Sequence, residues 1–347
     1  MDKDKLDALR GRFGGSKGNE FYDAKFKTVF DALFSAPGVR GKPYSGVPTF
    51  LAAPQAASGA GLDVALFGIP MDLGVTNRSG ARFGPRAVRT IERIGPYHHV
   101  LDVAPLSRIR CADIGDVPFR SRFDLNQSIE DIEAFCRTTL ASGARLLSVG
   151  GDHSVTYPIL KAVGAGQPVG LVHIDAHCDT GGDFEGEKFH HGGPFRQAVL
   201  AGVLDPARTI QIGIRGSAEY LWEFSYESGM TVIHAEEFVS MGAEAVLAKT
   251  IAVLAGKPFY ISIDVDGFDP SFAPGTGTPE IGGLTPREVQ VVLRGLKGLE
   301  VIGGDVVEVA PQYDATTNTA QLGAQMLFEI LSLMALSPSL AGRNTPA

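Results

Sequence analysis

Eight short apolar runs recur from residue 63 onward: DVALFGI, RIRCADI, RLLSV, VGLVHID, TIQIGIR, MTVIH, PFYISID and EVIGGDVVEV. Helix-compatible stretches separate most of them, and the runs are near-continuously apolar rather than alternating. A strand that is apolar on both faces must be covered on both, as in a parallel sheet between helical layers. The chain is therefore expected to be an α/β protein, a sandwich around a mostly parallel sheet of about eight strands. Its 347 residues, 44% hydrophobic and 20% charged, are enough for such a core and exclude disorder of the whole.

Upstream of the first run the pattern changes. In FYDAKFKTVFDALF (residues 21–34), Tyr22, Phe26, Val29, Phe30 and Leu33 fall on one helical face. This predicts an amphipathic helix packed on the main domain or a neighbouring subunit. Residues 35–61 are rich in Pro, Gly, Ser and Ala and read as an extended arm. The expected organisation is an N-terminal helix and arm over residues 1–60 and one compact domain over residues 61–340.

The ionisable residues gather where the strands should end. GGDHS follows RLLSV, DAHCD begins at the end of VGLVHID, DVDGFDP at the end of PFYISID, and Glu308 lies near the end of the last run. The carboxyl edge of an open α/β sheet is where ligands bind. Asp175, His177 and Asp179 alternate at i, i+2 and i+4, so an extended chain would project them from one face; Asp264 and Asp266 repeat the device. Carboxylates buried together without partners carry a severe cost, which bound cations would remove. Oxygen and imidazole donors without thiolate suit manganese, nickel or zinc. The four carboxylates of Asp175, Asp179, Asp264 and Asp266 balance two divalent ions, and a pair ~3.5–4 Å apart turns a shared water into a hydroxide nucleophile. A two-metal hydrolytic centre is expected from His153, Asp175, His177, Asp179, Asp264 and Asp266.

Composition narrows the setting. A net charge of −8 argues against a partner bound through nucleic-acid phosphates and fits a small cationic substrate. Cys111, Cys136 and Cys178 are odd in number and widely spaced, so a disulfide framework is not expected and a reducing, cytoplasmic compartment is. The charged opening, MDKDKLDALR, is unlike a secretory leader, and no apolar run is long enough to span a membrane. The PGTGTP loop lacks the strand–GxGxxG–helix context of a dinucleotide site, so no nucleotide cofactor is expected.

Taken together, GGDHS at 150–154, DAHCDT at 175–180, HGGPFR at 191–196, SIDVDGFDP at 262–270, APGTGTP at 273–279, VVEVAP at 306–311 and RSGARFGPRAVR at 78–89 resemble the ureohydrolases, the family of arginases and agmatinases. The likeness extends over most of residues 61–335 and is nearest the agmatinase and guanidino-acid branch. It implies a three-layer α/β/α sandwich, a trimer or hexamer, and two divalent ions, Mn2+ or Ni2+. One ion would be held by His153, Asp175, Asp179 and Asp264, the other by His177, Asp175, Asp264 and Asp266. It further implies that Glu308 receives a guanidinium and that His191, or His190 beside it if the register shifts, contacts substrate or shuttles a proton. The implied reaction is hydrolysis to urea and an amine, with the departing amine protonated through His191 or Asp179. Asp152 reads as a supporting group rather than a ligand.

Gly193 and Gln312 depart from the threonine and proline common in that branch, and Gly193 is expected to enlarge space beside the site or to free the backbone there. Arg120 and Arg122 are candidates to pair with a carboxylate tail. Tyr97, His98, His99, Tyr220 and Trp222 are candidates to line a small pocket for guanidine or a biguanide. Cys178, between His177 and Asp179, is expected to point away from the ions. Two other functions stay open: a catalytically silent metal-binding partner subunit of a mixed oligomer, and hydrolysis of a formimino group.

Overall fold

A computed structural model describes residues 2–17, 20–34, 45–92 and 94–341. The chain divides into two compact units, Met1–Arg40 and Gly41–Ala347. The smaller holds two helices, Lys3–Phe13 and Ala24–Phe34. The second is the predicted amphipathic helix; the first was not anticipated, because six of its eleven residues are charged and none is buried. Aromatic pairs hold this unit together, Phe13 with Tyr22 (5.2 Å between ring centres) and Phe21 with Phe30 (4.8 Å).

The larger unit is built on eight strands, one for each apolar run: β1 (Val64–Ile69), β2 (Cys111–Asp116), β3 (Arg145–Gly150), β4 (Val169–Ile174), β5 (Leu204–Ile214), β6 (Thr231–His234), β7 (Phe259–Asp264) and β8 (Val301–Val307). They form one sheet in the order β2-β1-β3-β8-β7-β4-β5-β6, and every pairing is parallel. β1, β4 and β7 are buried along their whole length, which explains their lack of polar alternation.

Helices cover the sheet for local reasons that can be named. Pro286–Gly295 starts with proline after Thr285, whose side chain accepts from the Glu288 N–H while Glu288 accepts from the Thr285 N–H. Leu125–Ala141 is capped by Asp124 and buries Ile129, Ile132 and Cys136 at helical spacing. Asn318–Ala335, after β8, is buried nearly throughout. No helix among the described residues is long and apolar enough to cross a membrane.

The boundary expected at residue 60 moves toward the N-terminus. Phe50 is 0% exposed in the main core, its N–H donates to Asp113 Oδ2 at 3.0 Å, and the Arg89 guanidinium lies 4.1 Å from its ring centre. Burying such a side chain is worth about 1.5–3 kcal/mol, enough to anchor a stretch whose composition alone suggests an arm. Residues 35–44 of the predicted arm lie outside the described residues.

Candidate active site

β3, β8, β7 and β4 are consecutive neighbours in the sheet. The segments leaving them carry His153, then Glu308, then Asp264 and Asp266, then Asp175, His177 and Asp179. One stretch of carboxyl edge thus collects every residue singled out in the four motifs. They do not converge as an extended chain would bring them. β4 ends at Ile174, and beyond it Asp175 Oδ1 accepts from the His177 N–H at 2.6 Å, closing a tight turn. Asp264 Oδ1 does the same for the Asp266 N–H at 2.8 Å. Gly267 lets the two turns meet, since a Cβ there would lie 2.8 Å from the Asp175 backbone nitrogen. Asp179 (φ 51°) and Glu308 (φ 62°) adopt the left-handed region, at a cost of about 1–3 kcal/mol each, which the surrounding packing must offset.

Asp175 is shared between two clusters. His153 Nδ1 lies 3.0 Å from Asp175 Oδ2, 2.8 Å from Asp179 Oδ2 and 3.4 Å from Asp264 Oδ2. His177 Nδ1 lies 3.4 Å from Asp175 Oδ1 and 3.3 Å from Asp266 Oδ2. All of these groups are buried except His177, which is half-buried. Burial, then the charges of Asp266 and Asp175, pushes the Asp264 carboxyl well above its ordinary range. Burial also raises Asp266. Such carboxylates call for positive charge between them.

The proton arrangement at His153 says where that charge belongs. Ser262 has one hydroxyl proton, which goes to Asp305 Oδ1 at 2.6 Å, so it accepts from His153 Nε2–H at 2.9 Å. The Nδ1 of the neutral ring then presents a lone pair to three carboxylate oxygens, and this buried atom has no hydrogen-bond partner. Burial disfavours a charged ring, yet the carboxylates of Asp175, Asp179 and Asp264 outweigh it and raise the pKa of His153 well above its usual value. A divalent ion at that point would take the place of the proton. The donor set, imidazole nitrogen with carboxylate oxygen and no thiolate, fits such an ion.

Beside the carboxylates, Glu308 Oε1 accepts from the His153 N–H at 3.0 Å and pairs with His191 Nδ1 at 2.9 Å. Its other oxygen, Oε2, is buried without a partner. His191 Nε2 lies 2.6 Å from Thr76 Oγ1 and 3.2 Å from the Thr76 nitrogen. Burial opposes charge on His191, but the hydrogen bond and charge of Glu308 outweigh it, and the ring titrates at about 9 rather than near neutrality. His190 turns elsewhere, its Nε2 to Gly182 O at 2.7 Å. Asp152 caps the turn at His153 and accepts from the Gly74 N–H at 2.8 Å, holding the loop that carries Thr76.

Several expectations are corrected. Arg120 is committed to Asp131 and Glu130 rather than left to pair with a substrate carboxylate, and the Arg122 guanidinium lies 5.4 Å from the Phe123 ring centre. His98 is buried against Glu329 at 2.7 Å and Phe328, Tyr97 bonds Asp102, and His99 stacks on His98. His98 thus packs against the last long helix, with His99 stacked on it, rather than lining a pocket at the carboxylate cluster. Tyr220 and Trp222 stay close, because Leu221 between them accepts from Cys178 Sγ and Thr180 Oγ1, each at 3.3 Å. Cys178 is thereby turned toward that carbonyl. Gly193 does not enlarge the site: a Cβ there would lie 3.1 Å from His190 Nε2, so His190 fills the space. Gln312 donates to Ser79 O at 2.6 Å and steadies the 78–80 loop.

Sequence reasoning missed Thr76, His173, Gln211, Ser262 and Asp305. His173 and Asp305 carried a usable signal, a polar residue inside a strand apolar on both sides. Thr76 carried none, since its partner lies 115 positions away.

Comparison with known proteins agrees with this geometry. The sequence pattern of the arginase family matches residues 62–332. Guanidinopropionase of Pseudomonas aeruginosa is 49% identical over 298 residues, covering 85% of this chain and 93% of that protein. The mitochondrial agmatinase of Gallus gallus is 45% identical over 293 residues, 83% of this chain and 86% of its own. Among solved structures, proclavaminate amidino hydrolase from Streptomyces clavuligerus superposes with a TM-score of 0.80 at 37% identity, covering 85% of this chain and 99% of that one. Sheet order, clustered carboxylates and likeness over most of the chain's length lead to one assignment: the chain belongs to the arginase family.

Proposed function

We propose that this protein hydrolyses a guanidino compound to urea and an amine at a centre of two divalent ions, with a short guanidino acid as its preferred substrate. The observation that carries the reading is the unpartnered, buried Oε2 of Glu308 beside the carboxylate cluster. Oε1 is already saturated by the His153 N–H and His191, so Oε2 is left to accept the forked N–H donors of a planar guanidinium. Support for the acid tail comes from the likeness to guanidinopropionase.

His153, Asp175, Asp179 and Asp264 would hold one ion, and His177, Asp175, Asp264 and Asp266 the other. When bound, the ions supply an activated water and stabilise the charge that develops as the carbon is attacked. Glu308 fixes the guanidinium in place, so the attack is effectively unimolecular. His191, hydrogen-bonded through Nδ1 to Glu308, would protonate the departing amine, with Asp179 as the second candidate. Thr278 Oγ1 donates to Asp266 Oδ2 at 3.1 Å and limits that carboxylate's freedom.

Mn2+ is the expected native ion and Ni2+ the alternative, on donor chemistry alone. A homo-oligomer, trimer or hexamer, is expected, and three buried free cysteines fit a reducing cytoplasm. The test is a urea-release screen of guanidinopropionate, guanidinobutyrate, agmatine, arginine, guanidine and biguanides, run separately with manganese and nickel. Greater turnover of agmatine than of any guanidino acid would refute the substrate assignment.

A further inference from the structure

His173 precedes Asp175 by two residues, is 0% exposed, and has its Nε2 2.8 Å from Asp175 Oδ2. Its cross-strand partner in the β4–β5 register is Gln211, also fully buried. The Gln211 amide nitrogen lies 2.5 Å from Cys178 O and 3.0 Å from His173 Nδ1. A carbonyl oxygen so close admits only the NH2 end of the amide, so the amide cannot be turned over. Its two protons go to Cys178 O and to His173 Nδ1. Gln211 Oε1 is left buried without a partner, a cost accepted to keep this orientation.

The consequence is a defined tautomer. With Nδ1 accepting, the proton of the neutral ring sits on Nε2 and is donated to Asp175 Oδ2. Phe195 packs on the ring, 4.3 Å between centres, so the imidazole has little room to turn. Asp175 Oδ1 is held separately by the His177 N–H. Both oxygens of the carboxylate that joins the two clusters are therefore oriented by N–H donors that bind no ion themselves, one from the His173 ring and one from the His177 backbone.

We infer that His173, with its tautomer set by Gln211, is a positioning residue that holds Asp175 in the geometry needed to bind both ions. This rests on the reading of Asp175 as a ligand shared by the two ions. Groups that orient a metal ligand from behind typically govern about 10–100-fold in metal affinity.

The test uses the full chain, stripped of metal, titrated with Mn2+ by calorimetry, and checked for folding by circular dichroism. His173→Phe should weaken Mn2+ binding about 10–100-fold. His173→Gln, which returns an N–H near the same place, should recover most of that loss. Gln211→Leu, which never touches Asp175, should weaken binding in the same direction by releasing the tautomer. If His173→Phe does not fold, the other two variants carry the test. His173 acting only as packing would lower the melting temperature of the metal-free protein and leave Mn2+ affinity unchanged. Wild-type affinity in folded His173→Phe, or wild-type affinity in Gln211→Leu where His173→Phe does not fold, overturns the inference while the two-ion centre stands. Failure of the wild type to take up Mn2+ sinks the centre itself, and this inference with it.

Discussion

Glu308→Gln exchanges one oxygen for an NH2 group, and the structure leaves that group nowhere to go. If the amide oxygen keeps the place of Oε1, it still accepts from the His153 N–H and from His191, but the NH2 then points its protons at the donors of the guanidinium. If the amide turns over, the NH2 faces the His153 N–H at 3.0 Å and His191 at 2.9 Å. Either way a donor meets a donor in a buried position. Losing one partner of a desolvated, hydrogen-bonded charge pair costs about 2–5 kcal/mol. Because repulsion is added to loss, the upper half of that range applies, about 400- to 5,000-fold in kcat/KM. Glu308→Asp keeps the charge but withdraws it by ~1.5 Å, one carbon–carbon bond. That misplacement should cost about 10²-fold. The assay is steady-state urea release together with metal content, which both variants should retain because Glu308 belongs to neither carboxylate cluster. A Glu308→Gln protein with full metal and kcat/KM within threefold of wild type would refute the role of Oε2.

Chelation should lower the melting temperature by on the order of 10 °C, since two ions held well below their working concentration each stabilise the native state by several kcal/mol; scanning calorimetry with and without chelator, reversed by Mn2+, checks this. The pH profile follows from His191, which titrates at about 9. Its protonated form prevails below that pH, so kcat/KM should fall as pH rises through about 9 and His191 ceases to be an acid; the stabilisation from its pairing with Glu308, complete below about 6.5, is lost over the same rise. His191→Asn should remove that alkaline limb, and a profile unchanged by the substitution excludes His191 as the acid. Gly193→Thr should destabilise by about 1–3 kcal/mol, because the new side chain must displace His190, and chemical denaturation will measure it.

The sheet and the metal cluster were legible because each leaves a local mark. Strands covered on both faces are apolar at every position, and the ligand candidates follow directly on their strand ends. What stayed hidden depends on partners that meet only once the chain has folded. Arg120 is spent on Glu130 and Asp131, one helix away, and His98 on Glu329, 231 positions downstream. Phe50 looked like part of an arm because its Pro- and Gly-rich neighbours outweighed it, yet a single large apolar side chain ties that stretch to the core. The same-face argument for Asp175, His177 and Asp179 named residues that do cluster, but by the wrong geometry, since side-chain-closed turns replace the strand beyond Ile174. Gly193 was read as empty space because the neighbour filling it, His190, can be placed only once the loop has folded back.

The central claim is that two ions and Glu308 together turn a guanidinium into urea. It is tested most directly by measuring, on one preparation reconstituted with manganese, the ions bound per chain and the urea formed per guanidinopropionate consumed. Two ions per chain and one urea per substrate are predicted. Fewer than one ion per chain, or substrate consumed with formamide instead of urea as the product, or no turnover by the fully loaded protein alone, would contradict it.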